Sequence, residues 1–361
     1  MVTTAQQEFE QSLETDIPLA PFTTLGIGGS AKYFAEIKSS GALAAGVKWA
    51  RGQNLRLFVL GGGSNIVVAD DGFPGLVLRA SISGIETHFE DGYVFITAGA
   101  GEDWDGLVAL TVGKNWAGFE CLSGIPGRVG ATPIQNVGAY GQEISETLVS
   151  LEALDVPAGC LVELSANDCN FEYRSSRFKT QDLKRFIITS VKYRLAVDGP
   201  PAVRYPELQR HLSNLQNVTL KEVREAVLAI RRQKAMVIDP SDIDSRSVGS
   251  FFVNPVLTSE QFEELRKNLV SSGFDQDLPS FPAPDGCVKL SAAWLIEKAG
   301  IRRGYVYGNV GTSSKHALAI INRGGGTAGE IVELKEIIQQ RVFDSFGIRL
   351  TPEPMFIGFE E

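Results

Sequence analysis

Apolar and polar positions along the chain alternate between two periods. Ser39-Ser40 opens a stretch with Leu43, Ala44, Val47 and Ala50 at helical spacing, stopped near Gly52, which predicts an amphipathic helix. Trp104, Leu107, Val108 and Thr111 mark a second helix. Thr219-x-x-Glu222 is a capping box that opens a third, with Val223, Ala226, Val227 and Ile230 inward and Arg231, Arg232 and Lys234 at its end. Thr258-x-x-Gln261 caps a helix carrying Phe262, Leu265 and Leu269, residues 292–299 form another ended by Gly300, and Thr327-x-x-Glu330 opens the last, with Ile331, Leu334, Ile338 and Val342 on one face. Short apolar runs predict strands at 32–37, 55–60, 93–101, 149–156, 160–164 and 186–195, and 247–255 and 348–358 also read as strand-like. The first residues are a polar lead, 237–246 is a polar, proline-containing boundary, and Pro279, Pro282 and Pro284 mark a long linker. The sum is an α+β chain of mixed sheets and helices in three blocks, without an internal repeat.

A chain of 361 residues exceeds one typical core, so two or three domains are expected. With 43% hydrophobic and 21% charged residues it reads as an ordinary globular protein. A net charge of −9 argues against nucleic acid or an anionic membrane as partner, so an anionic ligand must be met by locally placed Arg, Lys or backbone dipoles. Cys121, Cys160, Cys169 and Cys287 form no C-x-x-C pair and no zinc spacing, which predicts buried free thiols of a reducing cytosol. His88, His211 and His316 are scattered, so no metal site is expected. The N-terminus lacks a signal-peptide layout and no apolar run approaches the ~20 residues of a membrane span, which places the protein in the cytoplasm.

Two glycine-rich stretches change this bland picture. The run Gly61-Gly62-Gly63-Ser64-Asn65 follows a strand, yet it carries neither the Lys-Ser/Thr of a P-loop nor a G-x-G-x-x-G. Residues 66–80 after it read as strand and turn, so a phosphate would be held by a loop nest and not by a helix dipole. The second stretch, CLSGIPGRVGATPIQNVGAYG at 121–141, holds too much glycine and proline for a helix. It offers main-chain N–H groups to a flat or anionic ligand, and the Gln135 and Asn136 amides suit the edge of a heterocycle such as a flavin. Composition alone leaves a glycine-rich surface loop equally open.

Taken together, LGGGSN (60–65), PGRVGATPIQNVGAYG (126–141), EYRSSRFK (172–179) and GSFFVNP (249–255) resemble the flavoprotein UDP-N-acetylenolpyruvoylglucosamine reductase (UDP-N-acetylmuramate dehydrogenase) family of bacterial cell-wall synthesis, in its longer form. KLSAAWLIEKAG (289–300) and PEPMFIG (352–358) match as well, so the resemblance covers nearly the whole chain in order. It implies a two-lobed FAD-binding fold of the vanillyl-alcohol-oxidase type plus an α+β substrate-binding domain. The expected domains are 1–80 with 347–361 as the first lobe, 81–236 as the second, and 237–346 for substrate.

The implied reaction, in peptidoglycan precursor synthesis, reduces the enol ether of UDP-N-acetylglucosamine enolpyruvate to UDP-N-acetylmuramate, with hydride passing from NADPH to FAD to the enolpyruvyl methylene carbon. Charge arriving on the adjacent carboxylate needs preorganised donors, and the matching residue is Arg174, whose fork grips a carboxylate. By the same resemblance Glu353 is the acid that works with it, which beside a substrate carboxylate would have to be protonated to help, and Ser250 is the proton donor to the substrate α-carbon. FAD falls to Gly61, Gly62, Gly63, Ser64 and Asn65, and to Ser123, Gly124, Pro126, Gly127, Val129, Gly130, Ala131, Gln135, Asn136, Gly138, Ala139 and Tyr140. Tyr205, Lys234 and Asn254 take the UDP portion. A monomer is expected. Two other readings stay open: a different FAD oxidase or dehydrogenase on this fold, and a non-catalytic nucleotide-sugar or flavin-binding protein. No His or Cys lies between Gly61 and Asp71 to hold FAD covalently.

Overall fold

In the computed structural model, residues 3–271 and 278–359 are described. They form two units: Met1–Pro18 with Ser30–Gly63 and Phe73–Val237, and Leu19–Gly29 with Ser64–Gly72 and Ile238–Glu361. The chain thus leaves the first unit within the Gly61–Asn65 run and for the last time after Val237, in the polar segment read as a boundary.

The first unit holds a four-stranded sheet in the order Leu13–Pro18, Ser30–Ile37, Phe73–Ala80, Arg56–Leu60. Its first pair is antiparallel and the other two are parallel. Leu76, Val77 and Leu78 are wholly buried, as a parallel strand covered on both faces requires. The helix Ser40–Gly52, its N-terminus capped by Ser39 on the Ala42 N–H, packs Leu43, Val47 and Ala50 into this core. The polar lead is not irregular. Thr4–Ser12 is a helix capped by Thr3, and its Phe9 is 1% exposed. One aromatic in a polar run leaves no period to read, yet burying it contributes about 2–3 kcal/mol. A Cβ on Gly46 would stand 3.0 Å from the Phe9 ring, so that glycine admits the anchor.

The second sheet of this unit is antiparallel, in the order Cys160–Ser165, Leu148–Asp155, Phe186–Val197, Tyr93–Gly99, Ile85–Glu90, with Trp116–Ala117 also paired to Phe186–Val197. The edge strand Ile85–Glu90 is exposed at every position, so no apolar alternation announces it. Behind the sheet lies a cluster with Trp104, Phe119 and Tyr193 at its centre, ring centroids 4.9 and 5.0 Å apart about Phe119. Trp104 opens the helix Trp104–Gly113. The capping box of Thr219 and Glu222 starts the helix Leu220–Gln233, which buries Val223, Ala226, Val227 and Ile230 as read, and also Arg231.

In the second unit, Met355–Ile357 runs parallel to Ile66–Val68, joining the end of the chain to a segment near its start. Val306–Tyr307, Val310–Thr312 and Ile320–Asn322 form one antiparallel sheet, and Val256–Leu257, Val288–Leu290 and Ser280–Pro282 another. The core gathers Leu25, Val67, Phe251, Phe252, Leu290 and Ile331 around the helices Ser259–Ser271, Ala292–Lys298 and Ala328–Phe346. Two expectations need correction. Residues 247–255 are not a strand: only single bridges form, Ser247 with Ile321 and Phe252 with Pro352. Gly249 at φ 75° breaks the extended run, and Phe251 and Phe252 are buried as neighbours instead of alternating. The proline-marked linker is partly ordered pairing, since Ser280–Pro282 is an edge strand, where proline is tolerated.

Candidate active site

The two glycine stretches meet within the first unit. A Cβ on Gly62 would lie 2.7 Å from the Gly127 Cα, so the two backbones touch where only glycine fits. A Cβ on Gly61 would make only ordinary contact, 3.8–4.0 Å from Ala131 and Arg128 side-chain atoms. The Val129–Ala131 turn is engaged internally: Val129 donates to the Glu102 carbonyl at 3.0 Å, Gly130 to Ala100 at 2.9 Å and Ala131 to Arg128 at 3.0 Å. These N–H groups therefore build the loop and are not presented to a ligand as the sequence suggested. Ser123 is likewise buried, its hydroxyl donating to the Glu120 carbonyl at 2.6 Å.

Gly124 sits at φ 71° and is gripped from both sides. Its N–H donates to Asp105 at 2.6 Å and its carbonyl accepts from Arg231 Nε at 3.2 Å. Asp105 is also held by both amines of the Arg224 fork, at 2.6 and 2.9 Å. Burial pushes the Asp105 carboxyl pKa up, but the Arg224 and Gly124 hydrogen bonds and the charge of Arg231 outweigh it, and the net shift is downward. Burial lowers the Arg231 pKa, opposed by Tyr140 and Asp105. Burial also pushes the Tyr140 phenol up to about 12, against Arg231. Tyr140 meets Tyr205 edge to face, centroids 5.5 Å apart, and the Tyr205 ring is 42% exposed. Lys234 lies just past the helix end with its ammonium 2.6 Å from Glu207 Oε2. The sequence reading missed Asp105, Arg231 and Glu207; in a one-dimensional pattern they look like helix-end charges. Buried Glu120, which accepts from Gly118, Gln142 and Ala202, had no signal at all.

Arg174 occupies the left-handed region at φ 55°, inside a tight turn closed by Glu172 and Ser175, whose N–H groups donate to each other's carbonyls at 3.1 Å. Its Nη2 donates to the Gly138 carbonyl at 2.6 Å and its guanidinium lies 5.4 Å from the Tyr173 ring centroid. Asn136 is 1% exposed and its amide is spent within the protein: Nδ2 donates to Glu143 and to the Glu172 carbonyl, and Oδ1 accepts the Ser145 N–H. Its side chain therefore does not face a heterocycle edge.

In the second unit three sequence candidates come together. The Glu353 N–H donates to the carbonyl of Phe251, the neighbour of Ser250, at 2.9 Å. The Asn65 amide donates to the Glu353 carbonyl at 3.3 Å, and the Met355 N–H to the Asn65 carbonyl at 3.0 Å. Ser250 and Glu353 are both half-buried. Asn254 stands apart in role: its Oδ1 accepts the Ala292 N–H at 2.9 Å, at the start of a helix. The four cysteines are free, but Cys160 is exposed at the start of an edge strand, against the expectation of burial. Among the described residues no group of His, Cys, Asp and Glu is placed to hold a metal ion, and no helix is long and apolar enough to cross a membrane.

Two family profiles match this chain: an FAD binding domain over residues 31–165, and the C-terminal domain of UDP-N-acetylenolpyruvoylglucosamine reductase over 239–357. The UDP-N-acetylenolpyruvoylglucosamine reductase of Thermobifida fusca is 46% identical, over 96% of this chain and 98% of that protein. Its counterpart in Saccharopolyspora erythraea is 45% identical, over 94% of each. The crystal structure of the Thermus caldophilus reductase superposes with a TM-score of 0.62 at 24% identity, covering 96% of this chain and 98% of that one, and shares the fold. The α+β flavin fold and FAD as cofactor, both read from the sequence, are borne out. The chain belongs to the UDP-N-acetylenolpyruvoylglucosamine reductase family of FAD-dependent oxidoreductases.

Proposed function

We propose that this enzyme reduces UDP-N-acetylglucosamine enolpyruvate to UDP-N-acetylmuramate at the expense of NADPH, as a cytoplasmic monomer. The observation that carries the reading is the clamped Arg174: a guanidinium fixed on Gly138 by a strained turn, in the unit where the two glycine stretches also touch. The touching Gly62 and Gly127 backbones bring the two glycine stretches together as a surface of main chain, which fits a cofactor that approaches main chain closely. Gly61–Gly63, Ser64 and Asn65 hold FAD together with the 123–140 loop, through groups of that loop other than the internally engaged Ser123 hydroxyl, Val129–Ala131 amides and Asn136 side chain. The chemistry FAD supplies when bound is hydride carriage, from NADPH to the enolpyruvyl methylene carbon.

The chain's own residues do the rest. Arg174 grips the substrate carboxylate and its hold strengthens as negative charge accumulates there, which lowers the barrier instead of merely tightening binding. Glu353, half-buried and fixed through its own peptide, is the acid that works with Arg174. Ser250 delivers a proton to the α-carbon, completing the saturated ether. Tyr205 stacks on the UDP moiety, Lys234 exchanges Glu207 for a diphosphate oxygen, and Asn254 fixes the helix start beside which the nucleotide lies.

The test is anaerobic and in two halves. Adding NADPH should bleach the flavin band, and adding the enolpyruvyl substrate should restore it. In Ser250→Ala the first half should stay near wild type and the second should slow by roughly 10²–10⁴-fold, the usual range for a lost proton transfer. Equal losses in both halves would remove Ser250 from its role. Absence of recovery in the wild-type protein would point to an oxidase or a binding protein.

A further inference from the structure

We infer that Asn136 is a positioning residue for Arg174, one that sets where the guanidinium stands without touching the reacting atoms. The inference rests on the reading of Arg174 given above. Asn136 is buried, and chemistry fixes its amide orientation. Two of its contacts, Glu143 Oε2 at 2.8 Å and the Glu172 carbonyl at 3.2 Å, can only accept, so both must face Nδ2. The third, the Ser145 N–H at 3.0 Å, can only donate and must face Oδ1. Every contact ties one loop to another, and one of them falls on the turn that carries Arg174.

That turn needs the support. Arg174 is a non-glycine residue at φ 55°, a conformation that persists only where its surroundings over-determine it. Two grips do so. Asn136 holds the base of the turn through the Glu172 carbonyl, and the Gly138 carbonyl, two residues on, holds the guanidinium at 2.6 Å. The Gly138 position is itself closely confined: a Cβ there would lie 2.8 Å from Glu143 Cγ and 3.0 Å from Arg174 Nη1. Asn136, Gly138 and Glu143 thus form one frame around Arg174, with Asn136 as the only member that donates to the turn and to Glu143 alike.

The test compares half-reactions of the FAD-loaded enzyme in wild type, Asn136→Asp, Arg174→Ala and the double variant. Asn136→Asp keeps the shape, removes both donors and sets a second carboxylate against Glu143. FAD affinity and flavin reduction by NADPH should stay within about threefold of wild type, while flavin reoxidation by the enolpyruvyl substrate slows by roughly 10²-fold, as expected when a reacting group is misplaced by about 1 Å. In the Arg174→Ala background the same change should cost less than about twofold more, since a residue acting through another has nothing left to misplace. Weakened FAD binding with normal reoxidation of bound flavin would make Asn136 a flavin ligand and overturn the inference. So would equal loss in both half-reactions, or an additive double variant. If Arg174→Ala itself reoxidises at the wild-type rate, the reading of Arg174 fails, and that outcome is distinct from the others. Should Asn136→Asp not fold, Asn136→Ser withdraws the reach to the Glu172 carbonyl without adding a charge and must show the same selective loss; a wild-type substrate step in that variant counts against the frame.

Discussion

Replacing Gly62 with alanine puts a methyl group where the Gly127 backbone already is. The added Cβ would lie 2.7 Å from the Gly127 Cα and 3.1 Å from its carbonyl carbon, roughly 1 Å inside the ~3.5–4.0 Å of ordinary carbon contact. Both are main-chain atoms, so no side chain can swing away and the two loops must separate. Overpacking of this kind costs about 1–3 kcal/mol, which for a unit of this size lowers Tm by roughly 2–12 °C. If the separated loops are those that hold FAD, the same strain weakens its binding by roughly 5- to 150-fold. Gly61→Ala is the control: its Cβ meets only Ala131 and Arg128 atoms at 3.8 Å or beyond, so the apoprotein should melt as wild type does. The methyl would nevertheless stand beside Ala131, in the stretch assigned to FAD, and weaken binding. Thermal melts of the apoprotein and fluorescence titration with FAD separate the two effects. A Gly62→Ala protein with unchanged Tm and unchanged FAD affinity would refute the packing argument; a Gly61→Ala protein that binds FAD normally would move the cofactor away from Gly61.

Two further outcomes concern Arg174 and the buried thiols and phenol. Arg174→Lys should slow substrate reduction by roughly 10²-fold with little change in flavin reduction, because a point charge cannot hold both Gly138 and a carboxylate in a planar fork; wild-type turnover would exclude the guanidinium from the mechanism. Stability should fall in alkali. Burial pushes the thiols of Cys121 and Cys169 from 9.0 to about 12, and the Tyr140 phenol from 10.0 to about 12. The folded protein therefore keeps protons that the unfolded chain releases, so stability is complete below pH 9 and declines between pH 9 and 12. Each group contributes at most about 1.4 kcal/mol per pH unit inside its window. Denaturant midpoints measured from pH 8 to pH 11 check this, and a flat profile would contradict the burial of these groups.

What could be read from the sequence was local. Thr219 with Glu222 and Thr327 with Glu330 form the capping boxes their spacing announces, and Ile331, Leu334, Ile338 and Val342 line one buried face. The edge strand at Ile85–Glu90 was invisible because none of its residues is buried, and the N-terminal helix because a single phenylalanine is its one buried residue. At 247–255 the apolar content suggested a strand, but a left-handed glycine and two adjacent buried phenylalanines imposed an irregular path. In the candidate site, residue types were legible and their contacts were not. Asn136 and Lys234 were read as ligand-facing, yet one is consumed by Glu143, Glu172 and Ser145 and the other pairs with Glu207. Each of these partners is set by the fold, and no pattern of spacing encodes it.

The pairing of Met355–Ile357 with Ile66–Val68 bears on how the protein is made. Ile66, Val67 and Val68 are all buried in the finished unit, but during synthesis they leave the ribosome long before the strand that covers them exists. At about 5–20 residues per second the delay is roughly 15–60 s, during which a sticky β-prone segment lacks its strand partner. Chains truncated before Met355 should therefore accumulate as aggregates, and nascent chains of this length are natural clients for a holding chaperone.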